Sequence, residues 1–362
     1  MSFPYLSPSQ LVERKGDLRV SVCLPAHNES PTIAGIVGRI RADLMDTVPL
    51  VDEVLVVDDA STDDTAEVAK ATGARVVSAA DVLPEEGTRR GKGEALWKSV
   101  AAADGDLIVW LDADLEQFDT SFVTGLVAPL LGDPDVALVK GYYERPGGEG
   151  EVGGGRVTEL VARPVLTTWF PELVDIIQPI GGEYASRREV VERVRFAGGY
   201  GVDIGLLIDI TGGWGVEAVA QIDLGVRKHR NRPLHELGPQ ALAVMTTALR
   251  RAGLDVTDTP VYRRPDGLVA PVDVRDRPPL VHVAGYRPAS EIGPAPASTT
   301  ASRGAAGASD GRLAEFVDGL AGPGARAAMP PIGEGDDPLE GVARAIARRR
   351  DGLSEGPPRG DD

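Results

Sequence analysis

Residues 107–115 read Leu107-Ile108-Val109-Trp110-Leu111-Asp112-Ala113-Asp114-Leu115, an apolar run that ends in an Asp-x-Asp turn. A short run of large and β-branched apolar side chains, bounded by polar residues, reads as a buried strand. Two carboxylates at its end repel each other and lose hydration, so they need cations or hydrogen bonds nearby. A hard divalent ion carrying substrate phosphates meets that need, because Mg²⁺ takes one or two carboxylates together with phosphate oxygens and water. Taken alone, the same residues also fit a solvated turn.

The surrounding sequence repeats the arrangement. Val22-Cys-Leu-Pro-Ala-His-Asn-Glu29 and Leu55-Val-Val-Asp-Asp-Ala-Ser-Thr-Asp-Asp-Thr65 are also apolar runs that end in polar turns. Strands are expected at Arg19–Leu24, Glu53–Val57, Ala74–Ser78, Leu107–Leu111, Val136–Lys140 and Ala218–Asp223. Helical patterns fall between or after them, at Thr32–Leu44, Asp64–Ala71, Gly93–Ala103, Ser121–Leu131, Gly155 or Arg156 to Thr168, Val202–Ile210 and Leu237–Ala252. Ser61-Thr-Asp-Asp reads as an N-cap with acidic residues in the first turn. Alternating strands and helices predict an α/β domain on a mainly parallel sheet. In such a sheet ligands sit beyond the carboxyl ends of the strands, where Pro25–Glu29, Asp58–Ser61 and Asp112–Asp114 would converge.

Composition narrows the function classes. The chain has 362 residues, with 38 lysines and arginines against 55 aspartates and glutamates, a formal net charge of −17. So acidic a chain is a poor partner for nucleic acid or an anionic membrane, and an anionic substrate must be held by local cations, metal or backbone amides. One cysteine, Cys23, excludes an intramolecular disulfide and reads as apolar filler on a strand. The first residues carry no signal-peptide core and no run approaches a membrane span, which predicts a cytoplasmic protein. From Pro288 to Asp310, 17 of 23 residues are Ala, Gly, Pro or Ser, too few apolar side chains to offset chain entropy. The expected organisation is an N-terminal segment 1–17, one domain of two halves, 18–150 and 151–287, and a linker with a disordered tail 288–362.

The order of the three polar turns, with Arg90-Gly-Lys-Gly-Glu-Ala-Leu-Trp97 between the second and third, resembles the nucleotide-sugar-binding half of a GT-A glycosyltransferase. Gly153-Gly-Gly-Arg-Val-Thr-Glu-Leu-Val-Ala-Arg-Pro164, Gln178-Pro-Ile-Gly-Gly-Glu-Tyr-Ala185, Gly199-Tyr-Gly-Val-Asp-Ile-Gly-Leu-Leu-Ile-Asp209 and Leu224-Gly-Val-Arg-Lys-His-Arg-Asn-Arg-Pro-Leu234 narrow it. Over about Arg19 to Leu254 the chain resembles the glucosyl-3-phosphoglycerate synthases of actinobacteria. That resemblance implies a GT-A fold, a homodimer, and transfer of glucose from UDP-glucose to D-3-phosphoglycerate with retention and a divalent ion: Mg²⁺, or alternatively Mn²⁺ or Co²⁺. It also implies a product that feeds glucosylglycerate and methylglucose lipopolysaccharide synthesis.

Carried over residue by residue, the resemblance puts Pro25, Ala26, Glu29, Asp59 and Lys92 at the uridine. Asp112, Ala113 and Asp114 fall at the ribose, diphosphate and metal, with His229 as a second metal ligand and Arg232 holding the donor. Gly155, Arg156, Thr158 and Asn231 match phosphoglycerate contacts, and Tyr200 and Asp203 close the sugar pocket; Asp114, Asp203 and Asn231 stand nearest the chemistry. Asp203 replaces the glutamate more frequent in the family, and Asp59 a small polar residue of its uracil pocket.

Residue chemistry supports several of these assignments separately. His229 lies in a basic loop after a strand, where a neutral imidazole can complete a site begun by carboxylates. Arg227 and Lys228 read as a solvated face, and His27, His235 and His282 as surface or structural. Gly153–Thr158 opens a helix whose free N–H groups favour a phosphate, though a glycine hinge reads the same way. With no Asp or Glu in the motifs placed as a nucleophile, front-face attack is expected. The competing readings are mannosyl-3-phosphoglycerate synthesis from GDP-mannose, a sugar-phosphate nucleotidyltransferase, a non-catalytic nucleotide-sugar-binding protein and a polyprenyl-phosphate sugar transferase.

Overall fold

The computed structural model describes residues 6–144, 155–226 and 236–288. The expected apolar runs form β1 (Val20–Ala26), β2 (Glu53–Asp58), β3 (Arg75–Ser78), β4 (Leu107–Trp110), β5 (Leu138–Glu144) and β7 (Val219–Val226). A four-residue strand, β6 (Tyr184–Arg187), was not foreseen. All seven belong to one sheet in the order β3-β2-β1-β4-β6-β5-β7. Its neighbours are parallel except at β6, which runs antiparallel to both β4 and β5. The sheet thus takes strands from both sides of residue 150.

Helices α1 (Pro8–Lys15), α2 (Ser30–Arg41), α3 (Thr65–Ala71), α4 (Lys92–Ala102), α5 (Ser121–Gly132), α6 (Arg163–Trp169), α7 (Arg188–Val191), α8 (Val202–Trp214) and α9 (Leu237–Arg251) flank it. Strand alternation sends neighbouring side chains to opposite faces. Val22, Leu24, Val54, Val56 and Val109 pack into one core with α2 and α5. Cys23, Leu55, Val57, Ile108 and Trp110 pack into the other with α4, α6, α8 and α9. A small hairpin of β8 (Val261–Arg263) and β9 (Val269–Pro271) follows α9. Residues 272–286 then return as a strap whose Leu280 and Val283 enter the second core.

The Ser61 cap is corrected. Helix α3 begins at Thr65 behind Asp64, which makes no side-chain cap. Ser61 instead accepts the Asn28 N–H at 3.0 Å, while the Thr62 N–H donates to Asn28 Oδ1 at 2.7 Å. The polar turns after β1 and β2 therefore lace to each other, which outweighs a local cap. The linker and tail from residue 289 onward lie outside the described residues.

Candidate active site

A cavity of about 490 Å³ opens beyond the carboxyl ends of β1, β2 and β4. Pro25, Ala26 and Glu29 from the β1 turn, Asp59 from the β2 turn, and Asp112, Ala113 and Asp114 from the β4 turn line one side. Lys92 enters from the first residue of α4. Gly155, Arg156, Thr158, Tyr200 and Asp203 also line the cavity. Gly155 has φ of 96°, the left-handed region that glycine occupies without strain. The helical run that continues into α6 starts immediately after it. Thirteen of the residues singled out above thus meet at one chamber. His229, Asn231 and Arg232 lie outside the described residues.

Electrostatics concentrate at the floor. Lys92 Nζ bridges Asp112 Oδ1 at 3.1 Å and Asp203 Oδ2 at 3.2 Å. Burial alone would depress this ammonium, yet Asp112 and Asp203 together hold it well above its ordinary value. Asp203 is 5 % exposed, and burial raises its carboxyl despite Lys92 and Lys140. Its Oδ1 is buried without a hydrogen-bond partner among the described residues. Asp59 Oδ2 accepts the Gly91 N–H at 2.7 Å, and burial also raises its carboxyl. Thr32 fixes the β4 turn by donating to the Ala113 carbonyl at 2.6 Å.

Several lining residues lie outside the candidate set. His27, read as surface or structural, lines the cavity while its Nδ1 lies 2.8 Å from the Asp59 carbonyl. Its place beside Pro25 and Ala26 could have flagged it. Tyr143, Ile180, Gly182, Leu237, Gln240 and Val244 also contribute, each from an element whose packing brings it there.

The residues fit a divalent ion of the kind inferred from the sequence. Among the described residues no cluster of three or more His, Cys, Asp or Glu side chains forms a cage. Two carboxylates on one turn, facing a chamber large enough for a ligand, suit an ion that completes its shell with phosphate oxygens and water.

Comparison with known proteins agrees with this geometry. Residues 21–193 match the family model described as glycosyl transferase family 2. The chain is 47% identical over 293 residues to the glucosyl-3-phosphoglycerate synthase of Mycolicibacterium paratuberculosis, covering 76% of this chain and 88% of the relative. It superposes with a TM-score of 0.71 and 46% identity on the crystal structure of glucosyl-3-phosphoglycerate synthase from Mycobacterium tuberculosis in complex with Mn²⁺, UDP-glucose and phosphoglyceric acid. That match covers 77% of this chain and 96% of the other. A second structure of the mycobacterial protein, in complex with Mn²⁺, UDP and glucosyl-3-phosphoglycerate, matches with a TM-score of 0.70 and 45% identity over 78% of this chain and 97% of the other. On these similarities, with the sheet and cavity already described, the chain belongs to the glucosyl-3-phosphoglycerate synthase family.

Proposed function

We propose that the protein transfers glucose from UDP-glucose to D-3-phosphoglycerate, giving glucosyl-3-phosphoglycerate and UDP with retention at the anomeric carbon. The observation that carries this reading is the shared chamber. The Asp112–Asp114 turn and the Gly155–Thr158 helix start line one cavity, so a diphosphate and a second anion can be held together. Family membership favours this donor and acceptor over mannosyl transfer from GDP-mannose. It equally disfavours the nucleotidyltransferase and non-catalytic readings.

Pro25, Ala26, Glu29 and Asp59 hold the nucleoside, and Ala113, Tyr200 and Arg232 complete the donor site. Asp114, with His229, holds a divalent ion, Mg²⁺ or Mn²⁺, and Asp112 lies beside it. When bound, that ion stabilises negative charge on the departing diphosphate as a Lewis acid. Lys92 adds a fixed positive charge on the same side of the chamber. Arg156 offers a guanidinium fork to the phosphoglycerate, supported by Thr158, Asn231 and the N–H groups at the helix start.

Asp203 is tied to Lys92 and is not placed as a nucleophile, which supports front-face attack. The acceptor hydroxyl oxygen bonds to the anomeric carbon as the bond to the diphosphate oxygen breaks. The hydroxyl proton passes to that leaving oxygen. Holding both substrates in one chamber removes much of the entropic barrier.

Among the described residues no helix is long and apolar enough to cross a membrane. The family resemblance supports a homodimer whose product enters glucosylglycerate and methylglucose lipopolysaccharide synthesis, and the net charge of −17 speaks against a nucleic-acid or anionic-membrane partner. The decisive experiment incubates the protein with 3-phosphoglycerate and either UDP-glucose or GDP-mannose, with and without Mg²⁺, and identifies the product by mass and NMR. A glucosylated 3-phosphoglycerate formed only with UDP-glucose and metal is expected. A mannosylated product as the main species would overturn the donor assignment.

A further inference from the structure

Behind the cavity lies a second buried cation that none of the sequence motifs contains. Lys140, on β5, is 2 % exposed, and its Nζ donates to the Gly181 carbonyl at 2.7 Å. The same ammonium lies 4.4 Å from the centre of the Tyr184 ring. Gly181 closes a turn by donating its N–H to the Gln178 carbonyl at 3.2 Å. The Gln178 amide donates in turn to the Tyr143 carbonyl at 2.7 Å. The turn is therefore fastened to β5 at both Lys140 and Tyr143.

The residue after this anchor touches the site. A methyl group on Gly182 would stand 2.3 Å from Asp112 Oδ1 and 2.4 Å from Oδ2, inside any tolerable contact. On Gly181 the nearest atom to such a methyl is the Gly141 carbonyl oxygen at 3.4 Å, an ordinary contact. The bare α-carbon of Gly182 is thus a wall against one side of the Asp112 carboxylate, and Lys92 Nζ bounds it elsewhere at 3.1 Å. A buried ammonium is costly unless its surroundings compensate. Burial pushes Lys140 down to about 8, with Lys92 adding to the shift and Asp203, Glu183 and Asp112 opposing it.

We propose that Lys140 and the Gly181–Gly182 turn form a positioning device for Asp112. Lys140 pins the turn, and the absent side chain of Gly182 fixes the direction in which Asp112 faces the donor's diphosphate. The inference rests on the donor site proposed above. Lys140 is not part of the cavity lining and Gly182 offers it no side chain, so both act through Asp112.

The test uses the full chain, titrated calorimetrically with UDP in the presence of Mn²⁺, followed by steady-state kinetics. Gly182→Ala should weaken UDP binding about tenfold or more, because ångström-scale misplacement of a positioning group is costly. The Michaelis constant for UDP-glucose should rise with it, while that for 3-phosphoglycerate stays within about twofold, a few tenths of a kcal/mol. Gly181→Ala keeps the same carbonyl for Lys140 and should bind UDP as the native chain does. Lys140→Met should shift UDP affinity in the same direction by less, and it carries the decision where Gly182→Ala does not fold. Native UDP affinity in Gly182→Ala, or in Lys140→Met where that variant decides, would overturn the device. Parallel rises in both Michaelis constants would also overturn it, because they would mark a general loss of structure. A native chain that binds no UDP would overturn the donor site itself, and this inference with it.

Discussion

Two of the buried ion networks among the described residues are built differently. One ties α8, α9 and the strap. Arg251, the last residue of α9, pairs with both oxygens of Asp276 at 2.8 and 2.9 Å, and its Nε lies 2.8 Å from Asp209 Oδ1. Arg195 reaches the same Asp209 oxygen at 3.1 Å. Arg251 Nε also donates to Asp209 Oδ2 at 3.0 Å, so both oxygens of each aspartate are occupied within the protein. The other network is the cavity floor. There one ammonium, Lys92, spans Asp112 and Asp203, and Asp203 Oδ1 finds no hydrogen-bond partner among the described residues. An arginine network with matched forks can fasten elements. A lysine shared between two carboxylates beside a cavity keeps capacity for a ligand.

The largest effect should come from breaking the closed network. Removing one partner of a buried pair leaves an uncompensated charge and typically costs about 3–5 kcal/mol. Among the described residues, Arg251→Ala leaves Asp209 with Arg195 alone and takes from Asp276 its bidentate partner, with only Arg250 and Arg195 at 3.6 and 3.9 Å. Thermal and urea unfolding should show a loss of that order, while the protein that remains folded keeps its Michaelis constants. A variant of native stability would remove the clamp from the account of the fold.

Breaking the open site should invert this pattern. Asp114→Ala and His229→Ala should each lose roughly 10²–10³-fold in turnover, comparable to removing one preorganised electrostatic contact in other enzymes. Their unfolding midpoints should stay near native. Chelator should abolish native activity and a divalent ion should restore it. Full activity in excess chelator would sink the metal assignment.

The contrast also explains which parts of the molecule the sequence discloses. β1, β2 and β4 are legible because continuous apolar runs end abruptly in polar turns, and those turns line the cavity. The antiparallel β6 is not legible. Tyr184-Ala-Ser-Arg187 is short and half polar, and it becomes a strand only between β4 and β5. In the sequence Lys140 only ends the expected strand Val136–Lys140, whereas the pairing of β5 with β6 buries it. The clamp is equally hidden, since 25 residues separate Arg251 from Asp276 and no local pattern joins them. Ser61 shows the opposite error, a good local cap signal overridden by bonds to Asn28. Local chemistry is readable, and long-range pairing is not.

A smaller effect should separate the proposed acceptor contacts from the donor contacts. In a chain of net charge −17, an anionic acceptor needs a local positive site. Losing one charge-assisted contact costs on the order of 1.5–3 kcal/mol, roughly ten- to hundredfold in acceptor use. Arg156→Ala should raise the Michaelis constant for 3-phosphoglycerate by that factor and leave UDP affinity nearly unchanged. Arg156→Lys should recover only part, because an ammonium keeps the charge but not the fork. Calorimetry in which Arg156→Ala weakens UDP and spares the acceptor would overturn the acceptor role proposed for Arg156.

The smallest effect should come from cutting the chain where the strap ends. Arg277 donates from Nε and Nη2 to Glu94 on α4, each at 2.7 Å, and to the carbonyls of Glu86 and Gly87. Trp97 donates to the Pro278 carbonyl at 2.9 Å, and the Tyr286 hydroxyl reaches Glu192 at 3.1 Å. These bonds brace the loop that carries Gly91 and Lys92 into the cavity, so the chain must continue at least to Tyr286. Beyond Arg287 the sequence turns to the Ala-, Gly-, Pro- and Ser-rich stretch and contains no motif of the site. Truncation after Arg287 should therefore leave stability and transferase activity close to native. Truncation after Pro271 removes Asp276, Arg277 and the strap's apolar side chains, and should abolish the folded state. If the cut after Arg287 instead costs activity or solubility, the residues beyond it belong to the working enzyme, and the catalytic unit does not end at the strap.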